Sequence, residues 1–232
     1  ECTGRGAAGI GGQNAGVSSV SSARPDPGWL VLLPVKSTTR GKSRILLEPR
    51  HRARVALAMA LDTAAAAAAG SRVAEVLALV DDDADGRALA GIPGVRAHRV
   101  RARGLNESIR EACLLPVAAD RPVAVLPADL PSLRPVELDA ALDAAAGLAM
   151  AVVADRQGTG TTLLAAQRPA LLDPHYGVGS FAAHVAAGAV PLAVPGDSGL
   201  RRDVDVLDDL RDATGPLTSA EAATTGNGAA AG

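Results

Sequence analysis

The run Trp29-Leu30-Val31-Leu32-Leu33-Pro34-Val35 decides the fold, because every side chain in it is apolar and it follows a long stretch of Gly, Ser and Ala. A strand without polar alternation must be covered on both faces, which is typical of parallel sheets that lie between two layers of helices. Two further largely apolar runs occupy residues 73–80 and 122–126. The sequence therefore predicts a parallel sheet that contains these three strands.

Helical segments alternate with the strands. Further strands are expected at 95–100, 148–154 and 161–165. Segments 48–69, 106–119 and 135–146 have helix-forming composition, and the first and last of them end at Gly70 and Gly147. This order predicts an α/β fold, a three-layer α/β/α sandwich around a mostly parallel sheet. In such sheets ligands bind beyond the carboxyl ends of the strands.

The two ends of the chain differ in composition from its middle. Residues 1–28 are rich in Gly, Ser and Ala, and residues 214–232 are rich in Thr, Gly and Ala, so neither segment can bury enough apolar surface to offset the entropy of ordering. We therefore predict a disordered N-terminal extension at 1–28, one folded domain at 29–213 and a disordered C-terminal tail at 214–232. A single domain suits a chain of 232 residues with 48% hydrophobic content.

Charge and cysteine content exclude several classes of function. The formal net charge is -2 and the arginines are scattered, so binding to nucleic acid or to an acidic membrane surface is not expected. Cys2 and Cys113 lie far apart, which predicts neither a disulfide framework nor a thiolate metal site. The sequence shows neither the long apolar run of a transmembrane helix nor the pattern of a signal peptide. We expect a cytoplasmic protein.

A cationic loop follows the first strand. It contains both lysines of the chain, Lys36 and Lys42, together with Arg40 and Arg44. Cations concentrated at the carboxyl end of a strand favour the binding of phosphate oxygens, and an ordinary solvated loop is the alternative. The spacing differs from that of a Walker loop, so a triphosphate site here would be of another type.

Two aspartates are suited to bind a magnesium ion. Asp129 directly follows the fourth strand and lies between Pro127 and Pro131, which stiffen the turn. Asp203 lies in a second acidic cluster beside Asp205. Mg²⁺ in proteins is bound by one or two carboxylates together with substrate phosphates, so we predict Asp129 and Asp203 as ligands. Asp205 is expected to cap the next helix, and a turn or capping role is the alternative for Asp129.

Two glycine-rich segments offer hydrogen-bond donors to an anion. Gly158-Thr159-Gly160-Thr161 joins two strands, and Gly177-Val178-Gly179-Ser180 opens a helix. Such turns can direct N–H and hydroxyl groups at a carboxylate or phosphate, whereas a plain hairpin turn and a simple Ser180 N-cap are the alternatives. The four histidines show no metal-binding spacing, and structural roles are expected for His175 and His184.

In this order along residues 30–212, the motifs resemble those of the guanylyltransferases of coenzyme F-420 biosynthesis, which act on 2-phospho-L-lactate or phosphoenolpyruvate. The motifs that carry the resemblance are Pro34-Val35-Lys36, Lys42-Ser43-Arg44, Leu105-Asn106, Asp129-Leu130-Pro131, Ala154-Asp155-Arg156, Gly158-Thr159-Gly160-Thr161, Gly177 with Ser180, and Arg202-Asp203-Val204-Asp205. The resemblance implies a nucleotide-diphospho-sugar transferase-like fold. It also implies transfer of GMP from GTP to the phosphate of the phosphoacid, release of pyrophosphate, and use of Mg²⁺.

The same resemblance assigns roles to individual positions. It implies Mg²⁺ binding by Asp129 and Asp203, phosphoacid binding by Thr161, Gly177 and Ser180, nucleotide binding by Lys36, Lys42, Arg44 and Asn106, and a catalytic set of Lys36, Lys42, Asp129 and Asp203. The implied partners are GTP, a small phosphoacid and a downstream transferase of the same pathway.

Two other functions are open to a sequence of this kind. A molybdenum-cofactor or sugar-phosphate nucleotidyltransferase shares the fold, but such enzymes carry a glycine-rich L-x-G-G-x-S-x-R-M-G-type loop, which does not follow residues 29–35. A non-catalytic α/β binding module would tolerate loss of the paired aspartates, and both are present. A nucleotidyltransferase of the F-420 type therefore fits the residues best.

Overall fold

A computed structural model describes residues 28–35 and 47–228 of the chain, and for 225–228 it describes the backbone. In these residues seven strands form one sheet in the order β3-β2-β1-β4-β6-β5-β7. The strands are β1 (Trp29–Val35), β2 (Val73–Val80), β3 (Val95–Arg99), β4 (Val123–Val125), β5 (Met150–Ala154), β6 (Thr161–Ala166) and β7 (Val190–Pro191). The helices are α1 (Pro49–Ala68), α2 (Asp83–Ala90), α3 (Leu105–Cys113), α4 (Pro135–Ala145), α5 (Ser180–Ala186), α6 (Leu207–Arg211) and α7 (Pro216–Gly228).

The sheet is mostly parallel, as predicted, and one of its strands is reversed. β1 pairs in parallel with β2 and β4, and β2 pairs in parallel with β3. β6 runs antiparallel to both of its neighbours, β4 and β5. The carboxyl ends of β1 to β5 therefore share one edge of the sheet with the amino end of β6, so Thr161 lies at that edge.

Both faces of the sheet are covered. On β1 the side chains alternate, with Val31 and Leu33 packed with α1, α2 and α4 on one face. Leu30 and Leu32 pack with α3 on the opposite face, where α5 also contributes. Every residue from Leu30 to Leu33 is fully buried, which is why this strand shows no polar alternation. The three-layer α/β/α sandwich is confirmed.

Two helical predictions are wrong in detail. The segment 106–119 was expected to be one helix, but α3 ends at Cys113 and a separate 3-10 turn spans Pro116–Ala118. Pro116 has no N–H to donate and disfavours helical backbone at the residue before it, so the helix stops there. The sequence prediction also omits α2, whose N-terminus is capped by Asp82, because the Asp82 carboxylate accepts hydrogen bonds from the N–H groups of Ala84 and Asp85.

The prediction of a disordered tail at 214–232 is wrong for its described part. Residues 216–228 form α7, which packs against α1. The buried Asp62 carboxylate of α1 accepts hydrogen bonds from the N–H groups of Leu217 and Thr218 and from the Thr218 hydroxyl. Disorder was predicted because the segment has few large apolar side chains. These hydrogen bonds to Asp62 instead hold the start of α7 on α1. The predicted N-terminal extension lies outside the described residues except for Gly28.

Candidate active site

A large cavity opens at the carboxyl ends of β1, β2 and β3. It has a volume of about 660 Å³, and its lining includes Val35, Asp81, Arg101 and Arg103. Among the described residues, Arg101 and Arg103 have no ion pair. The cavity is thus partly cationic and is wide enough for a small molecule.

The predicted cationic loop begins at this cavity. Val35 lies in its wall, and the next residue along the chain is Lys36. Lys36, Lys42 and Arg44 themselves lie outside the described residues, so their assignment to nucleotide phosphates stays a prediction. What the structure adds is the place from which the loop starts.

Asp129 lies in a turn that is held from α1. The N–H of Leu130 donates to the buried Thr63 hydroxyl over 3.1 Å, and that hydroxyl donates to the carbonyl of Met59 over 2.8 Å. The turn is therefore fixed to a long helix beneath the sheet edge. Sequence reasoning missed Thr63, because a threonine inside a helix gives no local sign that it supports a turn 67 residues further along the chain.

The structure brings Asp203 next to Asp129. The N–H of Val204 donates to the carbonyl of Asp129 over 3.0 Å, so the residue after Asp203 is bonded directly to Asp129. The 3-10 turn Gly199–Arg201 leads into this segment. It packs so closely on the Asp129 turn that a Cβ at Gly199 would lie 1.9 Å from the Ser132 carbonyl oxygen.

Asp203 is in an environment that disfavours its charge. Burial raises its pKa to about 7, and the nearby carboxylates of Asp129, Asp205 and Asp155 add to the rise. Its Oδ1 atom is buried and has no hydrogen-bond partner in the described part of the chain. A carboxyl group in this position, close to a second aspartate, is suited to bind a cation.

Arg201 holds the acidic segment in place. Its guanidinium donates to the carbonyls of Ala154, Asp155 and Val194 over distances of 2.9 to 3.3 Å. These bonds tie the 3-10 turn to the end of β5. The sequence alone suggests no role for Arg201, because its partners are backbone oxygens that only the fold brings near.

The loop between β5 and β6 uses its N–H groups internally. Asp155 is buried, and its carboxylate accepts hydrogen bonds from the N–H groups of Thr159 and Gly160 over 2.9 and 2.7 Å. The hairpin-turn alternative for this segment therefore describes its backbone. Asp155 connects two parts of the site, because its charge raises the pKa of Asp203 while its carboxylate fixes the residues that precede Thr161.

Thr161 and Ser180 lie together, as the resemblance implies. Ser180 Oγ is 3.2 Å from Thr161 Oγ1, and both residues are buried. The N–H of Ser180 is bonded to the Gly177 carbonyl, so that N–H does not face a ligand. In the described residues the N–H groups of Gly177, Val178 and Gly179 have no hydrogen-bond partner.

Side chains from two helices hold the segment just before Gly177. Arg110 donates to the Pro174 carbonyl, His184 Nε2 accepts from the His175 N–H, and the Asn106 amide bonds both the N–H and the carbonyl of Tyr176. Both polar atoms of the Asn106 amide are therefore bonded to the backbone of this loop. Its predicted role as a nucleotide ligand stays a prediction, and its contacts support a role in positioning Gly177.

Asp205 does not cap the helix that follows it. The N-cap residue of α6 is Val206. The N–H groups of Asp205 and Val206 donate to the carboxylate of Asp209, which lies in the first turn of α6. The side chain of Asp205 is exposed. The prediction of an Asp205 cap is therefore wrong.

The fold is shared with solved nucleotidyltransferases. The chain superposes with a TM-score of 0.63 on a putative nucleotide-diphospho-sugar transferase from Desulfovibrio desulfuricans, at 15% sequence identity, covering 88% of this chain and 96% of that one. It superposes with a TM-score of 0.54 on a Mycobacterium tuberculosis protein in complex with manganese, at 20% identity and with coverages of 81% and 98%. At these sequence identities the likeness shows that the fold is that of a nucleotide-diphospho-sugar transferase, and it shows the fold alone.

Sequence relatives identify the family to which the chain belongs. Residues 29–191 match the family model described as guanylyl transferase CofC like. A phosphoenolpyruvate guanylyltransferase from Thermomonospora curvata is 44% identical over 204 residues, covering 84% of this chain and 89% of the relative. One from Streptomyces scabiei is 42% identical over 208 residues, with coverages of 84% and 96%. The chain belongs to the CofC-like guanylyl transferase family, and it is an enzyme that transfers a guanylyl group.

The described residues contain no helix that is both long enough and apolar enough to cross a membrane. They also contain no group of three or more His, Cys, Asp or Glu side chains placed to hold a metal ion. Asp203 lies beyond the range matched by the family model. Its position beside Asp129 is therefore an observation of the structure alone.

Proposed function

We propose that this protein transfers GMP from GTP to the phosphate of phosphoenolpyruvate, with release of pyrophosphate, as a step of coenzyme F-420 biosynthesis. The observation that carries the proposal is the joining of two sites through Asp155. One site is the Asp129 and Asp203 pair, and the other is the hydroxyl pair of Thr161 and Ser180. The names of the relatives support phosphoenolpyruvate as the acceptor, and 2-phospho-L-lactate is the other acceptor implied by the resemblance.

Asp129 and Asp203 would hold the magnesium ion. They fit it because Asp203 places beside a second acid a buried carboxylate oxygen that has no hydrogen-bond partner among the described residues, and because burial and neighbouring carboxylates raise its pKa to about 7. A bound divalent cation would relieve this repulsion, and two carboxylates leave coordination positions for phosphate oxygens. When bound, Mg²⁺ neutralises charge that develops on the transferred and departing phosphates.

The GTP molecule would occupy the cavity at the ends of β1 to β3. Arg101 and Arg103 offer positive charge in its wall, and the loop carrying Lys36, Lys42 and Arg44 starts at Val35 in the same wall. Positive charge in the wall of the cavity suits a triphosphate. Asn106 would affect GTP binding indirectly. It follows Leu105, which lies in the cavity wall, and its own amide binds the backbone of Tyr176.

The phosphoacid would bind between the β5–β6 loop and the Gly177 loop. Thr161 and Ser180 supply hydroxyls, and Gly177, Val178 and Gly179 supply N–H groups. Because α5 has only seven residues, its dipole contributes less than a long helix would, and the side chains and loop amides carry the binding. Neutral donors in a partly buried site are sufficient to bind an anion.

Catalysis in this arrangement rests on positioning. A phosphate oxygen of the acceptor attacks the α-phosphorus of GTP, a new phosphoanhydride bond forms, and the bond from the α-phosphorus to the bridging oxygen breaks to release pyrophosphate. The acceptor phosphate is ionised near neutral pH, so no side chain need remove a proton from it. The chain's task is to hold the two anions in line and to supply positive charge.

Pyrophosphate release measured for each NTP against a panel of phosphoacids tests the proposal. We expect release with GTP and phosphoenolpyruvate, dependence on a divalent cation, and a weaker response to 2-phospho-L-lactate and to sugar phosphates. Release only with a sugar phosphate or with molybdopterin would indicate a sugar-phosphate or molybdenum-cofactor nucleotidyltransferase instead. No release with any pair would contradict the proposal.

Ser180→Ala tests the acceptor site separately. It removes one hydroxyl of the pair that binds the charged substrate, so the KM for the phosphoacid should rise roughly 10- to 150-fold, a loss of about 1.5–3 kcal/mol, while the KM for GTP stays within error. Ser219→Ala is the control, because its hydroxyl is exposed and, within the described part of the chain, bonds only the Ala213 carbonyl. An unchanged phosphoacid KM in Ser180→Ala would remove this residue from the acceptor site.

A further inference from the structure

His184 is the buried centre of the acceptor side of the site. The residue has no solvent-exposed surface, and both of its ring nitrogens are bonded. Nδ1 lies 2.9 Å from Thr161 Oγ1, and Nε2 accepts the N–H of His175 over 2.8 Å. The ring also meets the Tyr176 ring edge-on, with centroids 5.0 Å apart. One side chain thus joins β6 to the loop that precedes Gly177.

These contacts determine which ring nitrogen carries the proton. The His175 N–H can only donate, so Nε2 must present its lone pair. The neutral ring then has its hydrogen on Nδ1, and this N–H donates to Thr161 Oγ1. Desolvation, with a smaller effect from His175 and an opposing one from Asp173, lowers the pKa of His184 to about 4, which keeps the ring neutral at physiological pH.

The proton on Nδ1 decides what the hydroxyl pair can offer to a ligand. Thr161 and Ser180 share one hydrogen bond, which uses one of their two hydroxyl hydrogens. Because Thr161 accepts from His184, the second hydroxyl hydrogen is left to donate elsewhere. In the opposite tautomer Thr161 would have to donate to Nδ1 and Ser180 to Thr161, and the pair would then present only lone pairs, which repel an anion.

We propose that His184 is a positioning residue for the acceptor phosphoacid, which sets the Thr161 and Ser180 pair to donate one hydroxyl hydrogen to the substrate anion. This assignment rests on the proposed function, in which that pair binds the phosphoacid. His184 acts through Thr161 and does not touch the substrate. Its second bond, to the His175 N–H, fixes both its tautomer and the approach of the Gly177 loop.

Two amide variants separate the two bonds of the ring. The side-chain amide of Asn reaches the position of Nδ1, so His184→Asn keeps a donor to Thr161 and loses the bond to His175. The amide of Gln reaches the position of Nε2, so His184→Gln keeps an acceptor for the His175 N–H and loses the bond to Thr161. Pyrophosphate release should show a phosphoacid KM raised about 10-fold or more in His184→Gln and about threefold or less in His184→Asn, with the GTP KM unchanged in both.

The tautomer itself can be measured with the His184 ring intact. Long-range ¹H–¹⁵N spectra of histidine-labelled enzyme at pH 7 should show His184 neutral with its hydrogen on Nδ1, and His51→Gln serves as the assignment control away from this site. A ring that is charged, or that carries its hydrogen on Nε2, would overturn the assignment even if both amide variants fail to fold. Equal phosphoacid KM values in folded Asn and Gln variants would also overturn it.

Failure of the assignment and failure of the proposed function give different results. A wild-type enzyme that releases pyrophosphate with phosphoenolpyruvate, but whose His184→Gln variant keeps its phosphoacid KM, would reject the role of His184 alone. A wild-type enzyme without activity toward any phosphoacid would reject the proposed function together with this role.

Discussion

At the scale of single residues, Asp203 is a group whose charge lowers the stability of the fold in the position where we propose that it binds a cation. Its carboxyl group is partly buried, its Oδ1 has no hydrogen-bond partner among the described residues, and neighbouring acids raise its pKa to about 7. A group whose pKa is raised in the folded state is protonated more readily there than in the unfolded chain. The folded enzyme without metal therefore loses stability as pH rises from about 4 to about 7.

Asp203→Asn should stabilise the metal-free enzyme and abolish turnover. The amide removes a buried charge without changing shape, so unfolding by urea in EDTA at pH 8 should cost roughly 1–3 kcal/mol more than in wild type, a range discounted because solvent reaches part of the site. At pH 4 the difference should be small, since the folded acid is then neutral and the unfolded acid is ionised only in part. Asp208→Asn, at an exposed position, is the control. A less stable Asp203→Asn enzyme at pH 8 would contradict this view of the site.

His184 changes the stability of the fold with pH in the opposite direction to Asp203. Its pKa is lowered to about 4 in the folded state, so the unfolded chain binds its proton more readily between pH 4 and 6.5. The stability that depends on the neutral ring is present above pH 6.5 and is lost as pH falls.

We expect His184 to remove about 2 kcal/mol of stability between pH 7 and pH 5. Urea unfolding of wild type and of His184→Asn at the two pH values isolates this part, because the amide does not titrate. The pH-dependent loss should be smaller in the variant by that amount. Identical pH dependence in the two proteins would show that the ring is not kept neutral by burial.

At the scale of elements, the apolar pattern was a good guide to strands and a poor guide to how they join. β1 and β2 were predicted with the bounds that the structure has, because a strand buried on both faces is visible in the sequence itself. The reversal of β6 was not predicted, since hydrophobicity does not record strand direction. The helix α7 was missed because its docking depends on Asp62, a polar residue 156 positions before Thr218.

The 3-10 turn Gly199–Arg201 is the element that delivers Asp203 to the site, and Gly199 is required for its close packing. A Cβ there would meet the Ser132 carbonyl oxygen at 1.9 Å, and this oxygen belongs to backbone that cannot rotate away. Gly199→Ala should therefore force the turn away from Asp129 and destabilise the enzyme by about 2–3 kcal/mol. The metal concentration needed for half-maximal activity should rise as well.

Gly196→Ala is the matched control for this prediction. A Cβ at Gly196 would have nothing within 4 Å, so this variant should match wild type in thermal melting and in metal dependence. If Gly199→Ala also matches wild type, the close approach of the two turns does not position Asp203.

At the scale of the whole molecule, the candidate site lies where two halves of the sheet meet. The cavity belongs to β1, β2 and β3, whereas the acids and the hydroxyl pair belong to β4, β5 and β6 and to segments that follow them. Sequence reasoning found Asp129 because it directly follows a strand. It could not find Thr63, Asp155 or His184 in their roles, because each supports a partner that is distant in sequence and is recognisable only from the fold.

α1 connects α7 to the metal site that we propose at Asp129 and Asp203. Asp62 on α1 accepts three hydrogen bonds from Leu217 and Thr218 at the start of α7, and the adjacent Thr63 holds Leu130 beside Asp129. The N–H of Thr214, just before α7, donates to Ser132 Oγ in the same turn. Releasing α7 should therefore loosen the Asp129 turn.

Asp62→Ala should release α7 and weaken metal use while leaving the sheet folded. Loss of its three bonds to a buried carboxylate should cost about 2–4 kcal/mol, and hydrogen exchange should become fast in 216–228 and around residue 130 but stay slow in β1 and β2. Activity should then need more Mg²⁺, with the phosphoacid KM unchanged. Asp139→Ala is the control, because Asp139 also accepts three hydrogen bonds, from Ser71 and Arg72, just after the C-terminus of α1. It should destabilise the enzyme without speeding exchange in α7 or changing the Mg²⁺ requirement, and the same Mg²⁺ response in both variants would show that α7 does not support the metal site.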